Sequence, residues 1–319
     1  MYRKAADIAE TINRQMDRFL PAIIPFGVVL GYLMPGVFIH LRPFVPLIFG
    51  MMTLSGALKL KAAEFGRTIR SPLPILAFFF SSHVLMPVFA KFIASLFFSG
   101  NDELITGYIL LFAGPIAVSS FIWVTIYSGE KALCLTIILL DTLLVPVFVP
   151  GTLALLMGAN VSLDIKGIVL SLVLMVVIPT AAGVSLNEST KGKIPLLICP
   201  FLNPLAKISL VTVIAANTAS VAALIRLDDP LIWKVAALVV FLFVLGFLLS
   251  WLTGIVTGCS PEKCKTLFFS GGLRNNTVTA TITLTFFSEY ATLPVIMIIL
   301  FQHSISAILA KLLIRKNPV

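Results

Sequence analysis

The stretch FFSGGLRNNT, residues 268–277, places an arginine and two asparagines inside a long apolar run. The glycine pair Gly271-Gly272 comes just before Arg274, and each glycine weakens a helix by roughly 1 kcal/mol. An arginine at the middle of a bilayer costs roughly 2.5–3.5 kcal/mol even on the most lenient insertion scales. A broken helix offsets such costs when its open backbone and polar side chains line a protein-enclosed cavity. The stretch therefore predicts an interrupted membrane helix.

The composition indicates an α-helical membrane protein. The chain has 319 residues, of which 59% are hydrophobic and only 12% are charged, whereas a soluble domain carries about 25% charged residues. The net charge of +9 is typical of basic cytoplasmic loops, so we expect contact with membrane lipid and no nucleic-acid partner. The four cysteines have no metal-site spacing with histidine. We expect no metal site, no cofactor, no enzymatic activity and no obligatory protein partner.

Hydropathy and helix breakers divide the chain into ten predicted spans with short loops between them. The spans lie near residues 19–36, 43–60, 73–98, 104–127, 131–156, 165–186, 199–224, 231–258, 264–287 and 292–313. Most of the 23 lysines and arginines fall on the side of the N-terminus, which the positive-inside rule assigns to the cytoplasm. We therefore expect a multi-pass protein of the cell (inner) membrane with both termini in the cytoplasm.

Ten spans form two groups of five, and because five is odd, a duplicated half would be inserted upside down. The predicted organisation is a cytoplasmic segment over 1–18, a first repeat over 19–157 and a second over 158–319. The fourth span of each half is the interrupted one, since Gly114-Pro115 corresponds to the glycine pair of the ninth span. Matching interruptions indicate the binding site of a secondary transporter. The alternative is a pair of unrelated kinks.

Polar side chains gather at both interruptions. Two broken helices that cross bring their ends together near the midplane, where free N–H groups attract anions. The candidate substrate-binding residues are Ser119, Ser120, Gly271, Gly272, Asn275, Asn276 and Thr277. The serines could instead bond to carbonyls of their own helix.

Two charges lie deep in the predicted spans, Arg274 and Asp141 of TIILLDTLLVP. We expect an ion pair between them; the alternatives are a protonated Asp141 bonded to a neighbouring helix, or a proton-carrying site. Further candidates to line a cavity are Lys207, Asn203, Asn217 and His83. Lys207 could instead extend to the cytoplasmic surface, and His83 could be a packing residue or a titrating one.

Several motifs, taken in their order and spacing, resemble the bile acid:sodium symporter family over roughly residues 19–313. They are FGMMTLSGALKLKAAEFGR (49–67), HVLMP in the third span, the Gly-Pro of the fourth, VPVFVPG after it, and GLRNN in the ninth. The resemblance implies an all-α fold of ten transmembrane helices arranged as two inverted five-helix repeats. It implies a panel domain of spans 1, 2, 6 and 7 and a core domain of spans 3–5 and 8–10, in which the fourth and ninth cross as broken helices. Substrates in that family are mostly small or amphipathic organic anions.

The departures from the family pattern concern its sodium sites. Sodium-coupled members typically have a glutamine in the third span, an asparagine after the crossover serine, hydroxyl residues in the fifth span, and a glutamate and a glutamine in the ninth. The corresponding residues here are Ser82, Phe121, Cys134 and Ile138, Ser270 and Arg274. A fixed positive charge a few ångströms from sodium costs roughly 4 kcal/mol at an effective dielectric constant of about 20. We therefore assign no metal ligands and expect Arg274 to act as a built-in cation.

The predicted function is secondary transport of an organic anion by alternating access, as a proton-coupled carrier or a uniporter. One alternative is a sodium symporter with rebuilt sites, and a minor alternative is a channel or an intramembrane enzyme. A related family, the arsenite efflux transporters, typically places a cysteine at the fourth-span crossover. The corresponding stretch, residues 114–120, contains none, so arsenite is a minor possibility.

Overall fold

A computed structural model describes residues 2–58, 72–157 and 164–314. These residues are almost entirely helical, and their one pairing of extended backbone is an isolated bridge between Ile116 and Arg274. In chain order the helices are α1 (Tyr2–Leu33), α2 (Pro35–Ala57), α3 (Leu73–Phe97), α4 (Asp102–Ala113), α5 (Ser120–Ile126), α6 (Lys131–Met157), α7 (Ile165–Ser189), α8 (Lys193–Leu224), α9 (Pro230–Val256), α10 (Pro261–Gly272), α11 (Asn276–Phe286) and α12 (Glu289–Leu313).

Long apolar helices dominate the described ranges. Seven of them, α2, α3, α6, α7, α8, α9 and α12, are long and apolar enough to cross a membrane. Large apolar side chains remain uncovered on the surface, such as Leu155 at 81% and Leu196 at 78% exposure, as expected where lipid replaces water. The prediction of an all-α polytopic membrane protein is confirmed, and the number of ten crossings stays a prediction.

The predicted spans that are not among these seven helices are the first, the fourth and the ninth. The fourth and ninth predicted spans are each divided, into α4 and α5 and into α10 and α11, and the longest of these pieces has 12 residues. The first predicted span, 19–36, overlaps α1, a continuous helix of 32 residues that ends at Leu33. The predicted segment 1–18 is therefore not a separate helix over its described residues.

The chain divides into two compact units. The first unit contains Met1–Ala62 and Leu170–Ala223, and the second contains Ala63–Val169 and Leu224–Val319. The predicted boundary between the repeats, after residue 157, borders residues 158–163, which lie outside the described ranges. Part of the family-like motif over 49–67 also lies outside them, from residue 59 onward.

Close backbone contacts hold the helices together within each unit. In the first unit, a β-carbon added to Gly31 of α1 would lie 2.3 Å from the carbonyl oxygen of Ala215 in α8. In the second unit, one added to Gly107 of α4 would lie 2.2 Å from the carbonyl oxygen of Ala291 in α12. Small residues at such positions let membrane helices approach closely enough to gain dispersion energy without a hydrophobic driving force.

Capping side chains begin three helices of the second unit. Asn101 accepts the Leu104 N–H at 3.1 Å, and Asp229 accepts the Leu231 N–H at 2.8 Å. Ser288 similarly caps α12. Each cap pairs an N–H that the first helical turn leaves without a partner, which stabilises the helix by about 0.5–2 kcal/mol. The capping residues are polar residues at the ends of loops, and they determine where α4, α9 and α12 begin.

Candidate functional site

Two interrupted helices cross in the second unit and complete each other's backbone hydrogen bonds. Between α4 and α5 the Ala117 N–H donates to the Leu273 carbonyl at 3.0 Å. Between α10 and α11 the Asn275 N–H donates to the Pro115 carbonyl at 2.8 Å. An unpaired peptide group in hydrocarbon costs several kcal/mol, so each break is stabilised by the other. Both helix breaks lie where the sequence indicated, although the second begins after the glycine pair rather than within it.

Gly114 provides space at the crossing itself, and Gly271 provides space between α10 and α9 beside it. A β-carbon on Gly114 would lie 2.2 Å from the hydroxyl oxygen of Thr279, and one on Gly271 would lie 1.7 Å from the hydroxyl oxygen of Ser250. Real β-carbons do not approach other heavy atoms so closely. Gly271 and Gly272 both remain within α10. They allow close packing against α9 at the end of α10, and their part in substrate binding stays a prediction.

Arg274 is completely buried, with 0% of its surface exposed. Its two terminal nitrogens donate to the Gly114 carbonyl at 3.2 Å and to the Ser82 carbonyl at 3.0 Å. The Gly114 carbonyl follows the last residue of α4, where carbonyls without helical partners form the negative pole of the helix dipole. Backbone oxygens thus replace water around a cation held in the apolar interior.

Asp141 is also completely buried, and it joins α6 to two other parts of the site. One carboxylate oxygen lies 2.5 Å from His83 Nε2, and the other accepts the Ile116 N–H at 2.5 Å. Among the described residues Asp141 makes no ion pair with Arg274; its two carboxylate oxygens contact His83 and the Ile116 N–H.

His83 lies in a segment of α3, Phe80–Leu85, whose hydrogen bonds follow the wider π pattern. Its ring stacks on Phe148, with ring centroids 4.6 Å apart, and on Phe79 at 5.6 Å. Such π segments are rare and often mark functional sites. Hydropathy does not predict this π segment. The feature of the sequence that could have indicated it is the polar run Ser81, Ser82 and His83.

A smaller polar cluster lies where the family pattern predicted sodium-site residues. The thiol of Cys134 lies 3.7 Å from the Ser120 hydroxyl oxygen and 3.8 Å from that of Ser270. All three side chains are fully buried, as is Ile138 on the next turn of α6. The cluster therefore offers two neutral hydroxyls and one thiol.

The other predicted crossover residues differ in their exposure. Ser119 and Asn275 are half-buried, as is Phe121. Asn276 is buried and donates from its amide to the Gln302 side chain of α12 at 2.8 Å, and Thr277 is 7% exposed. Ser119 and Asn275 are thus the polar residues of the crossing that retain accessible surface.

The three candidate residues of α8 belong to the first unit. Lys207 donates to both the backbone carbonyl and the side-chain oxygen of Asn13 in α1, at 2.9 and 2.7 Å. Asn203 accepts the Ser55 hydroxyl at 3.5 Å, and Asn217 is 1% exposed. Lys207 thus has a local structural contact between α1 and α8.

Crossing broken helices in a helical protein of several apolar spans are typical of membrane transporters. The chain belongs to the sodium bile acid symporter family, whose sequence model matches residues 45–226. It is also similar to the protein YbaS of Bacillus subtilis (strain 168), with 33% identity over 296 residues that cover 93% of this chain and 97% of YbaS.

Plant proteins are more distant relatives. The Probable sodium/metabolite cotransporter BASS1, chloroplastic, of Arabidopsis thaliana is 22% identical over 84% of this chain. The corresponding BASS2 protein of Oryza sativa subsp. japonica is 26% identical, also over 84% of this chain. The matches cover 66% and 63% of the plant proteins' own lengths, so about a third of each lies outside the similarity.

Proposed function

We propose that this protein is a secondary transporter for a small or amphipathic organic anion, and that its transport is not coupled to sodium. The observation that carries the proposal is the fully buried guanidinium of Arg274, bound to the Gly114 and Ser82 carbonyls beside the helix crossing. A permanent cation at this position changes which ions the crossing can hold, because charges interact strongly in a medium of low dielectric constant.

An anionic substrate fits the electrostatics of the crossing. Helix α11 begins at Asn276, so the positive pole of its dipole lies at the break, close to the arginine in sequence. The accessible polar groups of Ser119 and Asn275 can donate hydrogen bonds to a carboxylate or sulfonate. Apolar surface around these few polar groups suits the organic part of such a substrate.

The donor set does not fit a sodium ion. Sodium, a hard cation, prefers several oxygen ligands with negative charge nearby, whereas the cluster of Cys134, Ser120 and Ser270 provides two hydroxyl oxygens and a thiol. The Asp141 carboxylate is already engaged by His83 and the Ile116 N–H. Transport would then proceed as uniport or with a proton.

A sodium-coupled symporter with rebuilt sites is the second candidate. The plant relatives are named as probable sodium/metabolite cotransporters, and Asp141 keeps a carboxylate at the crossing. A rearranged site could use that carboxylate as a new ligand. Dependence of transport on sodium distinguishes this candidate from the first.

We further propose that the first unit is the panel domain and the second the core domain, and that the two broken helices expose their crossing to each side of the membrane in turn. The second unit contains all of α3–α6 and α9–α12. The expected location is the cell (inner) membrane with both termini in the cytoplasm, because the basic residues concentrate on that side.

A comparison of charged and neutral substrates tests the anion assignment. Proteoliposomes are expected to exchange labelled pyruvate or taurocholate in counterflow and not to exchange pyruvamide, the neutral analogue of pyruvate. Protein-free liposomes correct for leakage. Exchange of the amide at the rate of the anion, or no exchange of either anion, would overturn the proposed substrate class.

A further inference from the structure

His83 has one ring nitrogen engaged and one free. Its Nε2 contacts Asp141, and because a carboxylate only accepts, Nε2 donates to it. In the neutral ring Nδ1 then carries a lone pair, and Nδ1 is buried without a hydrogen-bond partner among the described residues. The side chain of His83 is 1% exposed. The Asp141 carboxylate beside the ring favours the charged imidazolium, whereas burial opposes it, and Nδ1 is the nitrogen whose lone pair can take a proton.

The surroundings of this ring leave few other groups to take that proton. The rings of Phe79 and Phe148 pack beside it. The nearest buried charges are Asp141, which it contacts, and Arg274, which donates to the carbonyl of the preceding residue, Ser82. Helices α4, α6 and α9 pack against the π segment. The other ionisable groups of these helices and of α3 have other partners or are exposed. Lys91 donates to the Leu156 carbonyl, Tyr108 donates to the Val235 carbonyl, and Cys134 contacts the two serines. The exposed groups are Asp102, Glu103, Lys131 and Lys234.

The histidine is connected to the crossing through Asp141. The second oxygen of that carboxylate holds the N–H of Ile116, and Ile116 is the residue that pairs with Arg274 in the backbone bridge. A proton on His83 therefore changes the charge on a hydrogen-bond chain that ends in the broken helix. Local changes of this kind act on conformation when they bias an element with two arrangements.

The net charge of the site is a reason for a proton to bind together with the anion. With a neutral His83, the positive charge of Arg274 and the negative charge of Asp141 cancel. A bound monovalent anion leaves the site with one net negative charge, and a proton on the imidazole restores neutrality. Net charge in a low-dielectric interior is costly, so the anion and the proton each increase the affinity for the other, as linkage requires.

We propose that His83, held by Asp141, is the proton-binding site of this transporter and that one proton moves with each monovalent anion. This inference rests on the proposed anion transport and assigns its coupling ion. The cotransport is electroneutral, since the anion and the proton carry opposite unit charges. Asp141 positions the imidazole and keeps its charge throughout.

The test measures accumulation at equilibrium, which does not depend on the rate of a variant. With taurocholate as probe, an inward proton gradient of one pH unit is expected to produce about tenfold accumulation in wild-type proteoliposomes. His83→Gln keeps a side-chain N–H for Asp141 but cannot titrate, and is expected to reach no accumulation. His40→Gln, at an exposed position, is the control and should accumulate as the wild type does. The sulfonate of taurocholate stays ionised, so leakage of a neutral acid does not imitate the result.

A second readout observes the proton without any substrate. The chain has three histidines, so ¹⁵N-labelled imidazole signals of the reconstituted protein can be assigned by substitution. The signal of His83 is expected to show Nδ1 becoming protonated when the sample is acidified. An unchanged signal, or tenfold accumulation by His83→Gln, would overturn the assignment while leaving anion transport intact. Absence of both accumulation and counterflow in the wild type would instead remove the proposed function, and the coupling role with it.

Discussion

Replacing Arg274 with methionine is expected to reduce anion uptake at least about 100-fold, a factor that corresponds to about 3 kcal/mol. The substitution removes two charge-assisted hydrogen bonds and leaves the Gly114 and Ser82 carbonyls without these donors. Each such bond contributes about 1.5–3 kcal/mol. Methionine also removes the charge that attracts the anion. Initial uptake by proteoliposomes, normalised to the amount of reconstituted protein, measures the loss.

Two further variants separate charge from geometry. Arg274→Lys keeps the charge but not the fork that reaches two carbonyls at once, so we expect an intermediate rate. Arg226→Met, in an exposed pair with Asp228 whose arginine side chain is 69% exposed, should transport at the wild-type rate. Wild-type uptake by Arg274→Met would show that the buried guanidinium does not serve the substrate.

Asp141→Asn is expected to abolish proton-driven accumulation and to slow uptake about 10–100-fold, as the loss of about 1.4–2.8 kcal/mol would. The amide keeps the size of the side chain but loses the negative charge that holds the His83 ring and the Ile116 N–H. The positive charge of Arg274 is then no longer balanced. We also expect a lower free energy of unfolding, by about 1–3 kcal/mol, measurable by thermal unfolding in detergent.

A double-variant cycle tests whether Asp141 and Arg274 balance each other without touching. The combined Asp141→Asn/Arg274→Met protein should be less destabilised than the sum of the two single variants, because it buries no net charge. Asp228→Asn, at a side chain that is 74% exposed, is the matched control for the loss of a carboxylate. Simple additivity of the two effects would contradict electrostatic balance at the crossing.

Local features of the sequence predicted most of the local backbone structure. The apolar runs predicted the helices. The two interruptions were predicted from Gly114-Pro115 and from the glycines before Arg274, because residues that break a helix act within a turn of their own position. Lipid would not tolerate an arginine without partners, and Arg274 is buried against two backbone carbonyls. Its functional role stays a prediction.

Contacts between distant helices could not be predicted in the same way. Hydropathy shows that His83 and Asp141 are deep, but not that α3 and α6 turn these side chains toward each other. No periodic pattern indicates the π segment that contains His83. The sequence therefore suggested the other available charge, Arg274, as the partner of Asp141. Lys207 was similarly ambiguous, because its contact with Asn13 depends on how α1 packs against α8.

The central claim is that a fixed arginine has replaced sodium at the crossing. The most direct measurement is accumulation of labelled taurocholate in proteoliposomes, with an inward sodium gradient in one arm and choline on both sides in the other. The pH is equal across the membrane, and potassium with valinomycin fixes the membrane potential. We expect the same accumulation in both arms. Accumulation that requires the sodium gradient and saturates with sodium concentration would contradict the claim and favour a symporter with rebuilt sites.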